Sequence, residues 1–94
     1  MAARRLDWSR RAERDYLSAL AYLAEVAGAS IALKVVNRTE SALAMILAQP
    51  AIGTPGRRAG TREFPVPHTG HTLIYRLTGS RITVIRYWHQ RREP

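Results

Sequence analysis

Residues 71–94, HTLIYRLTGSRITVIRYWHQRREP, decide the fold, because they contain two alternating strands joined by a two-residue turn. Gly79 and Ser80 separate two runs rich in β-branched and aromatic residues, which is typical of a type II′ β-hairpin. Such a turn fixes the pairing register, and successive side chains of a strand point to opposite faces of the sheet. The pattern predicts a mainly apolar face directed at the core and a basic, aromatic face left open.

The predicted register assigns each side chain of the hairpin to one face. The pairs expected on the apolar face are Leu77 with Ile82, Tyr75 with Val84, Leu73 with Arg86, and His71 with Trp88. The pairs expected on the open face are Arg76 with Thr83, Ile74 with Ile85, and Thr72 with Tyr87, with Arg81 and His89 at the ends. Arg86 is the exception on the apolar face. We expect it to lie at the sheet margin and to reach towards Asp7 or Glu63.

The first half of the sequence predicts two amphipathic helices joined by a short turn. Ser9 can accept a hydrogen bond from an N–H group of the first turn, and Gly28 follows the last apolar residue of the periodic pattern. The first helix is therefore expected between these two residues. The second helix begins at Ala29 or Ser30, and Pro50 stops it. A link this short makes the two helices antiparallel.

The remaining segments predict strands and one loop. Residues 4–8 form a possible short strand, and residues 49–60 form an exposed loop rich in Gly and Pro. Residues 61–66 predict another strand, in which Pro65 favours an edge position or an early end. Residues 1–94 are thus predicted to be one α+β domain of order β-α-α-β-β-β. Its antiparallel helical hairpin packs on one face of a mostly antiparallel sheet.

The composition limits the class of protein. A chain of 94 residues can bury one modest core but not two. The absence of cysteine excludes disulfides and thiolate metal sites, and no apolar run suits a signal peptide or a membrane span, so we expect a cytoplasmic protein. The formal net charge of +8, carried by fourteen Arg and one Lys, predicts an acidic partner, either nucleic acid or protein. A GC-rich genome would equally enrich Arg over Lys.

Several groups of residues carry a resemblance to a known family. They are Trp8-Ser9-x-x-Ala12-x-x-Asp15, Pro50-x-x-Gly53-x-Pro55-Gly56-Arg57, Gly60-Thr61-Arg62-Glu63, Ile74-Tyr75-Arg76 and His89-x-x-Arg92-x-Pro94. In order and spacing they span nearly the whole chain, which resembles the RelE/ParE superfamily of toxin–antitoxin toxins and is most similar to its ParE branch. The fold that this resemblance implies is the same β-α-α-β-β-β arrangement that periodicity predicts.

The resemblance implies one of two activities. ParE-like toxins poison DNA gyrase, whereas RelE-like and YoeB-like toxins are ribosome-dependent mRNA endonucleases. RelE-like enzymes have an Arg in the first hairpin strand and another after the last strand, where this chain has Thr72 and Gln90, and the sequence ends before their terminal Tyr. Of the YoeB-like His-Tyr pair, only His89 is present. These departures favour a gyrase inhibitor without catalytic residues or a cofactor.

Two alternatives remain beside gyrase inhibition. One is an mRNA endonuclease that uses His89 together with Arg57, Arg62 or Arg76, with Glu63 as a carboxylate or simply as the ion-pair partner of a nearby Arg. The other is a member that binds its antitoxin but is no longer toxic. His89 itself has a plainer interpretation as a hydrogen-bonded residue at a strand end.

Two sets of residues are candidate binding sites. For the target, whether gyrase or the ribosome with its mRNA, the candidates are Arg57, Arg58, Arg76, Arg81, Tyr87, His89, Arg91 and Arg92. For an acidic, ParD-like antitoxin that folds on binding, they are Leu20, Leu23, Val36, Leu43, Ile74 and Ile85. No metal site is expected, because His68 and His71 have no carboxylate or Cys beside them in the sequence.

Overall fold

A computed structural model describes residues 4–89 of the chain. In chain order the elements are β1 (Arg5–Trp8), α1 (Arg10–Ala27), α2 (Ala29–Ala48), β2 (Thr54–Pro55), β3 (Thr61–Val66), β4 (His71–Thr78) and β5 (Arg81–His89). The predicted order is confirmed, with one addition. The loop predicted between the second helix and the next strand contains β2, a strand of two residues.

The strands form one five-stranded sheet in the order β1-β5-β4-β3-β2. β1 runs parallel to β5, and each of the other neighbouring pairs is antiparallel. Both helices pack on the same face of the sheet, α1 against β5 and α2 against β3. The predicted two-layer α+β fold, with a helical hairpin on a mostly antiparallel sheet, is therefore confirmed.

The helix ends follow the signals in the sequence. The Ser9 hydroxyl accepts the Ala12 N–H at 3.1 Å and so caps α1. Gly28 ends α1 with a φ of +97°, a left-handed conformation that glycine adopts without strain. Its N–H donates to the carbonyls of Leu23 and Ala24, and α2 begins at the next residue. The single-residue link makes the two helices antiparallel neighbours.

The core lies between the helices and the apolar face of the sheet. Its buried residues are Ala12, Ala42, Ile46, Val66, Leu73, Tyr75, Ile82, Val84 and Tyr87. Burying a side chain as large as Leu73 or Ile82 contributes about 1.5–3 kcal/mol, so this cluster is the main source of stability. Around its margin, half-buried aromatic side chains such as Trp8 and Phe64 pack against it.

The β4–β5 hairpin follows the predicted register near its turn and departs from it further along. Tyr75 lies opposite Val84, as predicted. A β-bulge at Ile85 then shifts the pairing, so that Ile74 lies opposite Arg86. Beyond this point each predicted pair is wrong by one residue: Leu73 lies opposite Tyr87, Thr72 opposite Trp88, and His71 opposite His89. The predicted pair of Ile74 and Ile85 is not formed.

The register shifts where β1 ends. β1 covers β5 only as far as Val84, whose carbonyl accepts the Ser9 N–H at 2.9 Å. The Ser9 hydroxyl also lies 3.3 Å from the Ile85 carbonyl, to which it donates. Further along, Asp15 of α1 accepts the backbone N–H of Tyr87 at 3.1 Å. Helix α1 thus replaces β1 as the neighbour of the last part of β5, and the bulge accommodates the change.

Four predicted side-chain positions are wrong because of this shift. Trp88, predicted on the apolar face, lies opposite Thr72 on the open face, and His89, predicted on the open face, lies opposite His71. Tyr87, predicted on the open face, is only 3% exposed and belongs to the core. Arg86, predicted on the apolar face, lies on the opposite side of β5 from Tyr87, because successive side chains alternate. Its Nε atom donates to Asp15 at 2.7 Å rather than reaching Asp7 or Glu63.

Candidate interaction surfaces

The loop between α2 and β3 is anchored by two side chains of the sheet. The Tyr75 hydroxyl donates to the Pro50 carbonyl at 2.6 Å and accepts the Gly53 N–H at 3.0 Å. Nη1 of Arg62 donates to the carbonyls of Ala51 at 3.2 Å and Gly53 at 2.7 Å. Arg62 and Tyr75 lie opposite each other on adjacent strands, so the two anchors act side by side. Arg62, a candidate nuclease residue, is thus occupied in holding the loop.

The turn that follows β2 is closely packed and carries two exposed arginines. A Cβ atom at Gly56 would overlap Oγ1 of Thr61, so only glycine fits there without a shift. The Thr61 hydroxyl donates to the Arg58 carbonyl at 2.6 Å, and Oε2 of Glu63 accepts the Arg57 N–H at 3.4 Å. Glu63, considered as a catalytic carboxylate or an ion-pair partner, therefore contacts the backbone of this turn. The turn holds Arg57 and Arg58 in a defined position on the surface.

Four of the predicted target residues meet at one end of the sheet. Arg81 begins β5, and Arg76 lies on the adjacent strand opposite Thr61, the residue that holds the 57–58 turn. Sequence reasoning missed a fifth member, Arg5 of β1, which lies directly opposite Arg81. The sequence contains one indication of Arg5, its position in the short strand predicted over residues 4–8, but it does not predict which strand pairs with that segment. We call this set the arginine row: Arg5, Arg81, Arg76, Arg58 and Arg57.

One carboxylate lies within the arginine row. Oδ2 of Asp7 is 3.5 Å from Nε of Arg5 and 3.6 Å from Nε of Arg81. All three side chains are well exposed, and ion pairs of this kind contribute only about 0–1 kcal/mol. Asp7 therefore offsets part of the local positive charge but leaves a strongly basic surface.

The other predicted target residues lie elsewhere. His89 is the last residue of β5 and Arg81 the first, which puts them about 26 Å apart at about 3.3 Å per residue. Arg91 and Arg92, like Gln90, fall outside the described residues. The predicted target surface is thus divided between two ends of the sheet.

Near His89, aromatic rings form a continuous series that leads into the core. The series runs from Trp8 to Tyr16 (5.1 Å between centroids), Tyr87 (4.8 Å), His71 (4.7 Å) and His89 (4.8 Å). The Tyr87 hydroxyl is hydrogen-bonded to Thr39 at 2.8 Å, and burial raises the pKa of Tyr87 to about 12. Tyr87 therefore stays protonated at neutral pH and packs in the core, where it is not available to a partner.

Asp15 joins α1 to the end of β5. Its carboxylate accepts Nε of Arg86 and the backbone N–H of Tyr87, and the Asp15 and Arg86 side chains are only 15% and 24% exposed. The Arg86 guanidinium also lies 4.5 Å above the ring of Trp88, a cation–π contact on the open face of the sheet. Arg86 is therefore a structural residue, in contrast to the exposed members of the arginine row.

The helical hairpin presents an apolar surface away from the sheet. The predicted antitoxin residues Leu20, Leu23, Val36 and Leu43 are all half-buried, and Leu43 packs against the core. Sequence reasoning missed four apolar residues of the helices that are more exposed: Leu17 (59%), Tyr22 (65%), Val26 (58%) and Leu33 (59%). Leu17, Tyr22 and Leu33 were overlooked because they fall outside the apolar stripes of the two helices, whereas Val26 belongs to the stripe of α1 but is exposed near the end of that helix. The sequence did offer a signal for Leu17, Tyr22 and Leu33: each is an apolar residue at a helix position that the periodic pattern assigns to solvent.

The described part of the chain holds no group of three His, Asp or Glu side chains arranged to bind a metal ion. Neither helix of residues 4–89 combines the length and the apolar character that crossing a membrane requires.

Sequence comparison places the chain among known toxins. A family model described as "ParE toxin of type II toxin–antitoxin system, parDE" matches residues 6–94. The chain belongs to this family. The resemblance to the RelE/ParE superfamily is thereby confirmed, and this ParE-family toxin is the toxin component of a type II toxin–antitoxin system. No curated protein matches the chain by sequence.

Solved structures share the fold of this ParE-family toxin. One is a chain of the chromosomal ParDE toxin–antitoxin system from P. aeruginosa, with 21% identity over 93% of this chain and 96% of that one and a TM-score of 0.82. A YoeB/ParE toxin from Agrobacterium tumefaciens has 19% identity, coverages of 90% and 96%, and a TM-score of 0.64. The YoeB dimer from Staphylococcus aureus has 19% identity, coverages of 94% and 99%, and a TM-score of 0.64. At this identity the likeness establishes the fold.

The candidate nuclease residues of the ParE-family toxin are far apart in the described structure. His89 lies opposite His71 at one end of β4, and Arg76 is five residues further along the same strand, about 17 Å away at about 3.3 Å per residue. Arg57 lies beyond Arg76, on the turn that packs against Thr61. Because Arg76 also lies an odd number of positions from His71, Arg76 and His89 lie on opposite faces of the sheet.

Proposed function

We propose that this ParE-family toxin inhibits DNA gyrase by protein–protein contact and performs no chemistry of its own. The observation that carries the proposal is the separation of the candidate nuclease side chains. RNA cleavage requires a base, an acid and a cation around one phosphate, each within about 3 Å of the atom on which it acts. His89 and Arg76 are about 17 Å apart along the strands and lie on opposite faces of the sheet, and Arg62 is bonded to loop carbonyls.

The rival function is ribosome-dependent mRNA cleavage centred on His89. The paired test is a gyrase supercoiling assay run beside a translating-ribosome cleavage assay, each with the parent protein and with His89→Ala. Inhibition by contact predicts that the parent inhibits supercoiling and that neither protein cleaves mRNA. Cleavage by the parent that His89→Ala abolishes, without any effect on supercoiling, would establish the rival. A folded parent that arrests neither process and does not slow growth would identify a non-toxic member.

We also propose that the partner of the helical hairpin is a cognate acidic antitoxin. The hairpin exposes several large apolar side chains, among them Leu17 and Leu33 at 59% each, and an amphipathic helix binds by covering side chains of this kind. The net charge of +8 favours a negatively charged partner and fast, electrostatically steered association. A ParDE toxin–antitoxin system is the source of one chain with the same fold.

The antitoxin site is tested with two substitutions that change the charge equally. Leu33→Asp puts a carboxylate on the apolar hairpin surface, and Thr78→Asp puts one on the exposed end of β4. Desolvating a carboxylate is unfavourable, so Leu33→Asp should weaken antitoxin binding by at least tenfold, about 1.4 kcal/mol. Thr78→Asp should leave the affinity within about threefold. Equal loss of affinity in the two variants, with circular dichroism confirming both folds, would remove the hairpin as the binding site.

A further inference from the structure

The arginine row has the form of a binding surface for a linear polyanion. We propose that it binds the phosphate backbone of duplex DNA, as an activity of the free chain that does not depend on which target the toxin inhibits. The row crosses the open face of the sheet, away from the helical hairpin. DNA binding there would leave the proposed antitoxin surface uncovered.

The sheet register places three arginines on one face along a diagonal, because Arg81 lies opposite Arg5 on one side and opposite Thr78, two residues from Arg76, on the other. Arg5, Arg81 and Arg76 lie on the adjacent strands β1, β5 and β4, and the 57–58 turn packs beside the neighbouring strand β3. Three strand spacings of about 4.8 Å and an offset of two residues give the row an end-to-end length of about 16 Å. Each of its five guanidinium groups can contact one phosphate, and Asp7 competes for one of them, which leaves about four phosphate contacts.

Two carboxylates offset only part of the charge of the row in the described structure. The guanidinium groups of Arg57, Arg58 and Arg76 make no ion pair or hydrogen bond there; Asp7 lies beside Arg5 and Arg81, and Glu63 accepts the backbone N–H of Arg57. By contrast, Arg62 and Arg86 are bonded to carbonyls or a carboxylate. Like charges that share a sheet face repel one another, so the row is stabilised when an external anion lies across it.

The side chains around the row favour duplex phosphates over other polyanions. Single-stranded nucleic acids are bound by combining basic residues with aromatic rings that stack on bases. The aromatic ring of β5 on this face, Trp88, is half-buried beneath Arg86 and lies at the far end of the strands, opposite Thr72. Around the row the described open-face neighbours Thr78 and Thr83 are polar, and the nearest aliphatic side chain on that face of β4, Ile74, is half-buried, so the row has no exposed aromatic anchor of the kind on which protein interfaces depend. Arginine side chains bind the phosphates of the DNA backbone well, and such contacts do not recognise the bases. We therefore expect the row to bind duplex DNA without sequence specificity.

The test is fluorescence anisotropy of a labelled random-sequence DNA duplex titrated with the purified free chain at several salt concentrations. Four phosphate contacts predict that the association constant falls by about 150-fold between about 50 and 200 mM salt. The double variant Arg76→Gln/Arg81→Gln should lose two contacts and show a fall of about 12-fold over the same range. The matched control is Arg10→Gln/Arg14→Gln, which removes the same charge from exposed positions of α1. It should keep the parental salt dependence.

Several results would overturn the assignment. Equal effects of the two double variants would mean that net charge, and not the row, governs binding. Tighter binding of a single-stranded RNA of equal length would reassign the row to RNA. Loss of antitoxin affinity in Arg76→Gln/Arg81→Gln with unchanged DNA affinity would make the row a protein contact, and no binding of the parent at 50 mM salt would refute the proposal outright. Because no gyrase is present in this assay, its outcome is distinguishable from failure of the gyrase proposal.

Discussion

Replacing Tyr75 with Phe removes a single oxygen atom and leaves the buried ring in place. That oxygen makes two hydrogen bonds to the loop between α2 and β3, donating to the Pro50 carbonyl at 2.6 Å and accepting the Gly53 N–H at 3.0 Å. Gly53 is buried, so its N–H has no ready access to water once the hydroxyl is gone. The variant therefore isolates the contribution of this anchor from that of core packing.

The expected loss of stability follows from these two bonds. A buried donor left without a partner costs about 1–3 kcal/mol, and the lost bond to the carbonyl adds about 1 kcal/mol. Tyr75→Phe should thus lower the free energy of unfolding by about 2–4 kcal/mol. At about 4–8 °C per kcal/mol for a domain of this size, the melting temperature should fall by about 8 °C or more.

Urea unfolding followed by circular dichroism measures this loss, with Tyr22→Phe as the matched control. The Tyr22 side chain is 65% exposed, so removing its hydroxyl should change the free energy of unfolding by less than about 0.5 kcal/mol. The slope of the unfolding free energy against urea should be unchanged in both variants. The reasoning is refuted if Tyr75→Phe unfolds at the same urea concentration as Tyr22→Phe.

Further substitutions and a pH series test other contacts. Gly56→Ala should destabilise the fold by about 1–3 kcal/mol in urea unfolding, because the new Cβ overlaps the Thr61 hydroxyl; parental stability would show that the turn can shift freely. Asp15→Ala should lower the free energy of unfolding by about 2–3 kcal/mol, because the hydrogen bond from Arg86 is lost. Amide hydrogen exchange at Tyr87 should accelerate, because its N–H loses the Asp15 acceptor. Unchanged exchange would contradict the hydrogen bond between Asp15 and the end of β5. Because burial raises the Tyr87 pKa to about 12 from 10.0, the folded state holds this proton more tightly than the unfolded state. Its contribution to stability is present below pH 10 and is lost between pH 10 and about 12, so parental stability should fall more steeply in that window than that of Tyr87→Phe.

The parts of the fold that local signals determine were predictable from the sequence. Ser9 and Gly28 set the ends of α1, and the turn at Gly79 set the register of the hairpin as far as Tyr75 and Val84. The bulge at Ile85 was not predictable in this way. It depends on where β1 ends and on contacts from α1, both of which are remote in sequence from the hairpin.

The site was less predictable because a sequence does not distinguish an exposed arginine from a bonded one. Arg62 and Arg57 look alike in the sequence, yet Arg62 is bonded to two carbonyls of the loop and Arg57 extends from its surface. The arginine row also includes Arg5, whose relation to Arg81 exists only through the parallel pairing of β1 with β5. Contacts between distant segments supply this information, and periodicity within one segment does not.

The most direct test of inhibition by contact is the stoichiometry of gyrase inhibition. Purified toxin is titrated into a fixed amount of gyrase during DNA supercoiling, and the cognate antitoxin is added at the end. Contact inhibition predicts that the effect saturates at a fixed toxin-to-gyrase ratio and that the antitoxin reverses it. Unimpaired supercoiling at every ratio, together with cleavage of mRNA on translating ribosomes by substoichiometric amounts of the same protein, would contradict it.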